Sequence, residues 1–453
     1  MTSPDRASDL IIELDRRANP ERSRRFSAAQ FEVGLQRLES LTAYLLSQPP
    51  FLYRPALRIS IVGTNGKGTV AFALESLFRE AMRDRDPAPV TGLYTSPHLI
   101  DFTERIRIDG LPASILELDS LFREVNDLIA SLPDGLSDGL SSSDRLYYKE
   151  IFDSLTYFEL LTLLGLLLFQ SKQTAVQIYE AGLGGRLDAT RIAHADVVVL
   201  TSIGLDHTAL LGHTRRRIFE EKIGILSENT QLLFLPESRY ERWLAQELLL
   251  KLRSHSQRAE NRLQSSLHTE ERPQILVNPR LADPDYLIAG ADYARFIYDT
   301  LRSSLALPDL NALQIPSPPG RRERRQAFGK MWIFDNAHNA PAMFMLLKGL
   351  EGLPFAQTAV VLALSADRRP APILRLIARY RFAHLIVVTG HGLQDVEIED
   401  VRRWTGIDRV STMPLESAQL ADRISEPNVL FMGSHRLYDL FDRETRLRSD
   451  EQR

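Results

Sequence analysis

One stretch constrains this chain more than any other: Arg58-Ile-Ser-Ile-Val-Gly63-Thr64-Asn65-Gly66-Lys67-Gly68-Thr69-Val70. The β-branched run Ile59, Ile61, Val62 reads as a buried strand, the glycines break it, and a helix is predicted from about Thr69 to Arg83. A strand, a Gly-rich turn, a lysine, a hydroxyl and a helix together form a phosphate cradle. The turn's N–H groups and the helix N-terminus point at the anion, and Lys67 adds a mobile positive charge. Three residues separate Gly63 from Lys67, against about five in the general P-loop pattern. The loop is therefore of P-loop type but a variant of it.

Around this turn the chain alternates strands and helices. An amphipathic helix is predicted over Phe26–Leu46, from Phe31, Leu35, Leu38, Leu41 and Leu45. Strands follow at Gly92–Tyr94, Val176–Glu180 and Val197–Thr201. One continuous helix is predicted over Ile151–Phe169, and a further helix carries Glu220, Glu221 and Lys222. This pattern predicts a mostly parallel sheet, whose ligands bind at the carboxyl ends of the strands. The phosphate loop, Ser96, Glu180 and His207 all fall at such ends.

The run Leu313 to Gly320 is rich in proline and reads as a linker over residues 313–320, with a phosphate-binding domain over residues 1–312 before it. After it a fresh α/β pattern begins, predicting a second, smaller Rossmann-like domain over residues 321–453. Arg322, Arg324 and Arg325 at its start read as a solvated basic patch. Ser131–Ser143 and the charge-dense stretch Arg253–Arg272 are expected to be loops.

Composition excludes several classes. A net charge of −4 over 453 residues offers no basic field for nucleic acid. The chain has no cysteine, which removes disulfides and thiolate chemistry. The first 25 residues are charged throughout and carry no signal-type apolar segment. The longest apolar run, Leu160–Phe169, is half the length needed to cross a bilayer and reads as a core helix. A cytoplasmic protein with no membrane partner is expected.

Seven motifs occur in order: Gly63–Thr69, Thr95–Leu99, Glu104–Gly110, Glu180–Thr190, Thr201–His207, Glu221–Ile225 and Asp335–Asn339. Together they resemble the folylpolyglutamate synthase/dihydrofolate synthase branch of the Mur ligase family. That resemblance implies an ATP-dependent amide ligase, in which a folate carboxylate is phosphorylated and the acyl phosphate is attacked by the amine of L-glutamate. It implies ATP held by Gly63, Thr64, Asn65, Gly66, Lys67, Gly68 and Thr69, with Arg321 and Asp335 from the second domain. It implies two Mg²⁺ ions at Ser96, Glu180, His207 and a carbamylated Lys222. Folate contacts fall at His98, Asp188 and Ala189, and catalytic roles at Lys67, Lys222, Asp335 and His338. A monomer is implied.

Taken without the resemblance, Lys222 reads first as a helix-surface lysine paired with Glu221 or a neighbour, and Asp188 reads equally as an Asx-turn residue. The sequence departs from the family at Asn336, where glycine is usual, and at Ala340, where proline is usual. The helix Gly290–Phe296 lacks the His-Gln pair and the asparagine that contact the nucleoside. A ligase for a different acid and a catalytically impaired nucleotide-binding protein both remain open at this stage.

Overall fold

The computed structural model describes residues 8–19, 28–84, 90–132, 142–236, 240–247, 273–278, 283, 285–366, 370–390, 392–417 and 420–446. Most of Ser131–Ser143 and all of Arg253–Arg272 lie outside these residues. The chain divides into two compact units. One comprises Met1–Ser96, Phe102–Leu281 and Asp292–Ile315, the other Pro97–Asp101, Ala282–Ala291 and Pro316–Arg453.

The first unit is built on an eight-stranded sheet. Its strands are β1 (Leu57–Val62), β2 (Val90–Tyr94), β3 (Ile106–Ile108), β4 (Leu111–Pro112), β5 (Thr174–Glu180), β6 (Val197–Leu200), β7 (Leu232–Leu235) and β8 (Gln274–Val277). They run in the order β4-β3-β2-β5-β1-β6-β7-β8. All pairs are parallel except β2–β3 and β3–β4. β1 is buried almost throughout, as a central strand of a mostly parallel sheet should be. Its register fixes the site: Ile61 lies opposite Glu180 of β5, and Val62 opposite Leu200 of β6. The phosphate loop, the end of β5 and the loop after β6 thus leave the sheet at one level.

The predicted single helix over Ile151–Phe169 is two helices, Ser142–Ser154 and Tyr157–Ser171, bent by 115° at the break. Thr156 caps the second: its side chain accepts from the Glu159 N–H, and the Glu159 carboxylate accepts from the Thr156 N–H. This reciprocal box starts a new helix rather than continuing the old one. The run Leu160–Phe169 is buried throughout. Among the described residues no single helix is long and apolar enough to cross a membrane.

The second unit holds a six-stranded sheet, β9 (Glu323–Ala327), β10 (Lys330–Phe334), β11 (Thr358–Ala363), β12 (His384–Thr389), β13 (Val410–Pro414) and β14 (Asn428–Met432). Their order is β13-β12-β11-β14-β10-β9, with only β9–β10 antiparallel. Apolar layers on the two faces cover it.

The arginines Arg322 to Arg325 are not a solvated patch as a whole. Arg325 on β9 donates to Glu323, Asp442 and Tyr438, while Arg322 donates to Asp285 and to the Gly349 carbonyl. Only Arg324 is exposed as expected. Strand β9 places alternate arginines on opposite faces, which a one-dimensional run of charge conceals.

Candidate active site

The phosphate loop leaves β1 at Gly63, whose φ is +154°. A Cβ there would lie 1.9 Å from Thr201 Oγ1, so the position accepts only glycine. Gly66 caps the following helix, Lys67–Met82, at φ +85°. Lys67 therefore opens the helix rather than preceding it. The loop is stapled to the segment after β6: Thr201 Oγ1 and Ser202 Oγ donate to the Asn65 carbonyl at 2.7 and 3.0 Å. The Thr64 N–H donates to the Ser202 carbonyl, and the Gly204 N–H to Thr64 Oγ1. Thr201 and Ser202 thus set the loop's shape, a role that sequence reading did not assign to them.

Two lysines converge on one oxygen. Lys67 Nζ donates to the Gly63 carbonyl at 3.2 Å and Lys222 Nζ to the same carbonyl at 2.8 Å. Lys222 is 4 % exposed, so it is not a surface lysine. Glu221 pairs with Arg186 instead. The second Gly-rich turn seats the helix that carries Lys222, Arg215–Ile223: a Cβ on Gly185 would lie 2.2 Å from the Lys222 carbonyl. Burial, and next the charge of Lys67, bring the Lys222 amine down from 10.5 to about 7.

Glu180 ends β5 and is nearly buried. Its carboxylate accepts from the Ser96 N–H at 3.2 Å and lies 3.4 Å from where a Cβ on Gly68 would sit. It therefore packs beside the first turn of the phosphate-loop helix. His207 sits at φ +47° as the cap of the short helix Thr208–Leu211, its backbone N–H donating to the buried Asp206 carboxylate. Asp206 in turn acts on Lys222, partly opposing the fall in its pKa.

Among the described residues no three His, Asp or Glu side chains gather as a ready-made metal cage. A single buried carboxylate beside a phosphate loop nevertheless fits Mg²⁺, which keeps waters and takes further oxygens from substrate phosphates.

Asp188 is buried, and both its oxygens serve the loop. Oδ2 accepts from the Leu183 N–H, and Oδ1 from the Thr190 N–H and Oγ1. It caps the short 3-10 helix Ala189–Ala193, on which Ala189 is also buried. Burial raises its pKa.

In the second unit Asp335 begins the turn after β10 and is 1 % exposed. Its Oδ1 accepts from the Ala337 N–H, and its Oδ2 from the Arg322 N–H and from the Tyr286 hydroxyl. The His338 ring faces the Asn336 carbonyl at 3.0 Å. Arg321 lies between two left-handed residues, Gly320 (φ +68°) and Arg322 (φ +46°). His98 belongs to this unit and is half-buried. The Asn336 N–H donates to the Gly320 carbonyl, and Pro341, one residue after Ala340, supplies a proline in the first turn of the helix Ala340–Gly349. The segment Gly290–Phe296 is part of the helix Tyr286–Arg302, where Tyr293 and Ala294 are buried and Tyr293 donates to the Leu200 carbonyl.

A variant phosphate loop on a mostly parallel sheet, followed by a smaller doubly wound unit, defines a protein of the Mur ligase type. A relative from Buchnera aphidicola (Acyrthosiphon pisum), named dihydrofolate synthase/folylpolyglutamate synthase, is 30 % identical over 334 residues, 70 % of this chain and 72 % of the relative. The chain belongs to the dihydrofolate synthase/folylpolyglutamate synthase family. The Escherichia coli K12 protein of the same name is 38 % identical over 209 residues, 46 % of this chain but only 42 % of its own length. A solved bifunctional folylpolyglutamate synthase/dihydrofolate synthase with Mn, AMPPNP and L-glutamate bound aligns with a TM-score of 0.66 at 25 % identity, covering 90 % of this chain and 93 % of that one. No protein-family model matches the chain.

Proposed function

We propose that this protein is an ATP- and Mg²⁺-dependent ligase that joins L-glutamate to a folate carboxylate, acting on dihydropteroate and on tetrahydrofolate polyglutamates. The observation that carries this reading is the meeting of Lys67 and Lys222 on the Gly63 carbonyl. Two amines held that close favour the neutral form of Lys222, and a triphosphate in the loop is the partner that suits the charge kept by Lys67. The solved relative with Mn, AMPPNP and L-glutamate supports the same substrates.

In the reaction a pteroate carboxylate oxygen attacks the γ-phosphorus of ATP, and the bond to the ADP oxygen breaks. The amine of glutamate then attacks the acyl carbon, phosphate leaves with the bonding pair, and the amine proton passes to solvent. The chain binds and orients rather than bonding covalently, as phosphoryl transfer requires. The loop N–H groups and Lys67 hold the phosphates. Glu180, Ser96 and His207 would hold Mg²⁺, the carboxylate and hydroxyl suiting the first ion and the imidazole a second. Bound there, the ions neutralise charge on the phosphates.

With its pKa near 7, Lys222 is substantially neutral at physiological pH. Carbamylation requires that form of the amine, and it would make the side chain an oxygen ligand. Arg321, Asp335 and His338 serve the nucleotide and the acyl acceptor. Ala189 and His98 border the folate, while Asp188 acts through the loop it holds.

Incubation with ATP, Mg²⁺, labelled glutamate and a panel of pteroates tests the assignment. Glutamylated pteroate with stoichiometric ADP is expected. ADP release without a glutamylated product from any pteroate would reject it.

A further inference from the structure

The helix that should carry nucleoside contacts lacks them at Gly290–Phe296, yet its first residue, Tyr286, is part of a polar cluster within the second unit. The Tyr286 hydroxyl donates to Asp335 Oδ2. Its ring lies beneath the Arg322 guanidinium, 5.4 Å from the ring centre. Arg322 is itself fixed by Asp285 Oδ1 at 2.6 Å and the Gly349 carbonyl at 3.0 Å. Asp335 Oδ2 also accepts from the Arg322 N–H at 2.9 Å, and the next residue, Asn336, donates its N–H to the Gly320 carbonyl at 3.0 Å. Both residues flanking Arg321 are thus tied to the Asp335 turn, and both are left-handed, a backbone shape that needs outside support at Arg322.

We propose that Tyr286 is a positioning residue for Arg321: its phenol clamps the Asp335 carboxylate, and Asp335 holds the turn from which the Arg321 guanidinium is offered to a nucleotide phosphate. Three features carry this. The Asp335 oxygens are committed to Tyr286, Arg322 and Ala337, so the carboxylate acts as a brace. Arg322, next in sequence, is spent on structural partners. Among the described residues the Arg321 guanidinium makes no hydrogen bond, and its charge acts on the Asp335 carboxylate that braces the turn. The proposal rests on the ligase reading, in which Arg321 contacts ATP.

Steady-state kinetics on the whole protein test it, with Tyr286→Phe, Arg321→Ala and the double variant compared with the parent. Tyr286→Phe keeps the ring and removes one donor to a charged acceptor, so KM for ATP should rise about tenfold. Its kcat should stay within about twofold and its KM for L-glutamate should not move. Arg321→Ala should raise KM for ATP at least as much, and the double variant should be no worse, because both act through one guanidinium.

Multiplying effects in the double variant would overturn the proposal, as would a parallel rise in KM for glutamate with a lowered melting temperature. If Arg321→Ala is impaired and Tyr286→Phe is not, this proposal fails while the ligase reading stands. If Arg321→Ala binds ATP normally, the assignment of Arg321 fails and the proposal fails with it.

Discussion

The amine of Lys222 donates to the carbonyl oxygen of Gly63 at 2.8 Å, joining the helix after the second Gly-rich turn to the first residue of the phosphate loop. The two residues are 159 positions apart. The contact places a titratable amine, its pKa near 7, against a loop that also holds Lys67.

Lys222→Met should separate stability from activity. A lysine whose folded pKa falls from 10.5 to about 7 binds its proton less readily in the folded chain than in the unfolded one. Its contribution to stability is present above pH 10.5 and is lost as pH falls through about 7. The methionine variant should therefore gain up to about 4 kcal/mol in denaturant unfolding at pH 6, and the gain should shrink to under about 1 kcal/mol near pH 10, while ligase activity disappears at both. A variant less stable at pH 6 than at pH 10, relative to the parent, would contradict this sign.

Lys67→Ala should lower glutamate ligation about a hundredfold or more with the fold retained, because the side chain hydrogen-bonds only to a carbonyl of the loop. It should also raise the pKa of Lys222, since the charge of Lys67 is the second cause of its depression. Reactivity of Lys222 towards reductive methylation across a pH series measures that shift.

Gly63→Ala drives a methyl group to within 1.9 Å of Thr201 Oγ1. The clash displaces the hydroxyl that holds the Asn65 carbonyl. A cost of about 1–3 kcal/mol is expected, together with loss of ATP binding by calorimetry. Thr201→Val, which keeps the shape and removes the donor, should fold normally and bind ATP several-fold more weakly.

Thr156→Ala serves as a control, since its side chain takes part in a helix cap and not in the hydrogen bonds of the phosphate loop. Losing the capping box that begins Tyr157–Ser171 should cost about 1 kcal/mol in unfolding and leave KM and kcat unchanged. A kinetic effect would mean that the bend between these two helices matters to the site.

Much of the architecture was legible because it depends on local pattern. The apolar β1, the Gly-rich turn after it and the later alternation of strand and helix each follow from side chains within a few residues of one another, and the structure has all three. The capping box at Thr156 and Glu159 was equally local, yet the apolar run beyond it masked the break. The arginines near β9 were misjudged because their partners, Asp285 and Asp442, come from distant parts of the chain.

The sequence alone determined which chemical groups the chain owns and where strands end: a phosphate loop, a carboxylate at the tip of β5, and lysines at 67 and 222. Only the tertiary structure decided their states. Lys222 becomes a buried amine of lowered pKa because parallel pairing of β1, β5 and β6 brings three loops to one level and the turn at Gly185 seats its helix there. Tyr286 meets Asp335 across 49 residues in the same way. Spacing along a chain carries no information about such contacts, since burial and Coulomb interaction depend on distance in space.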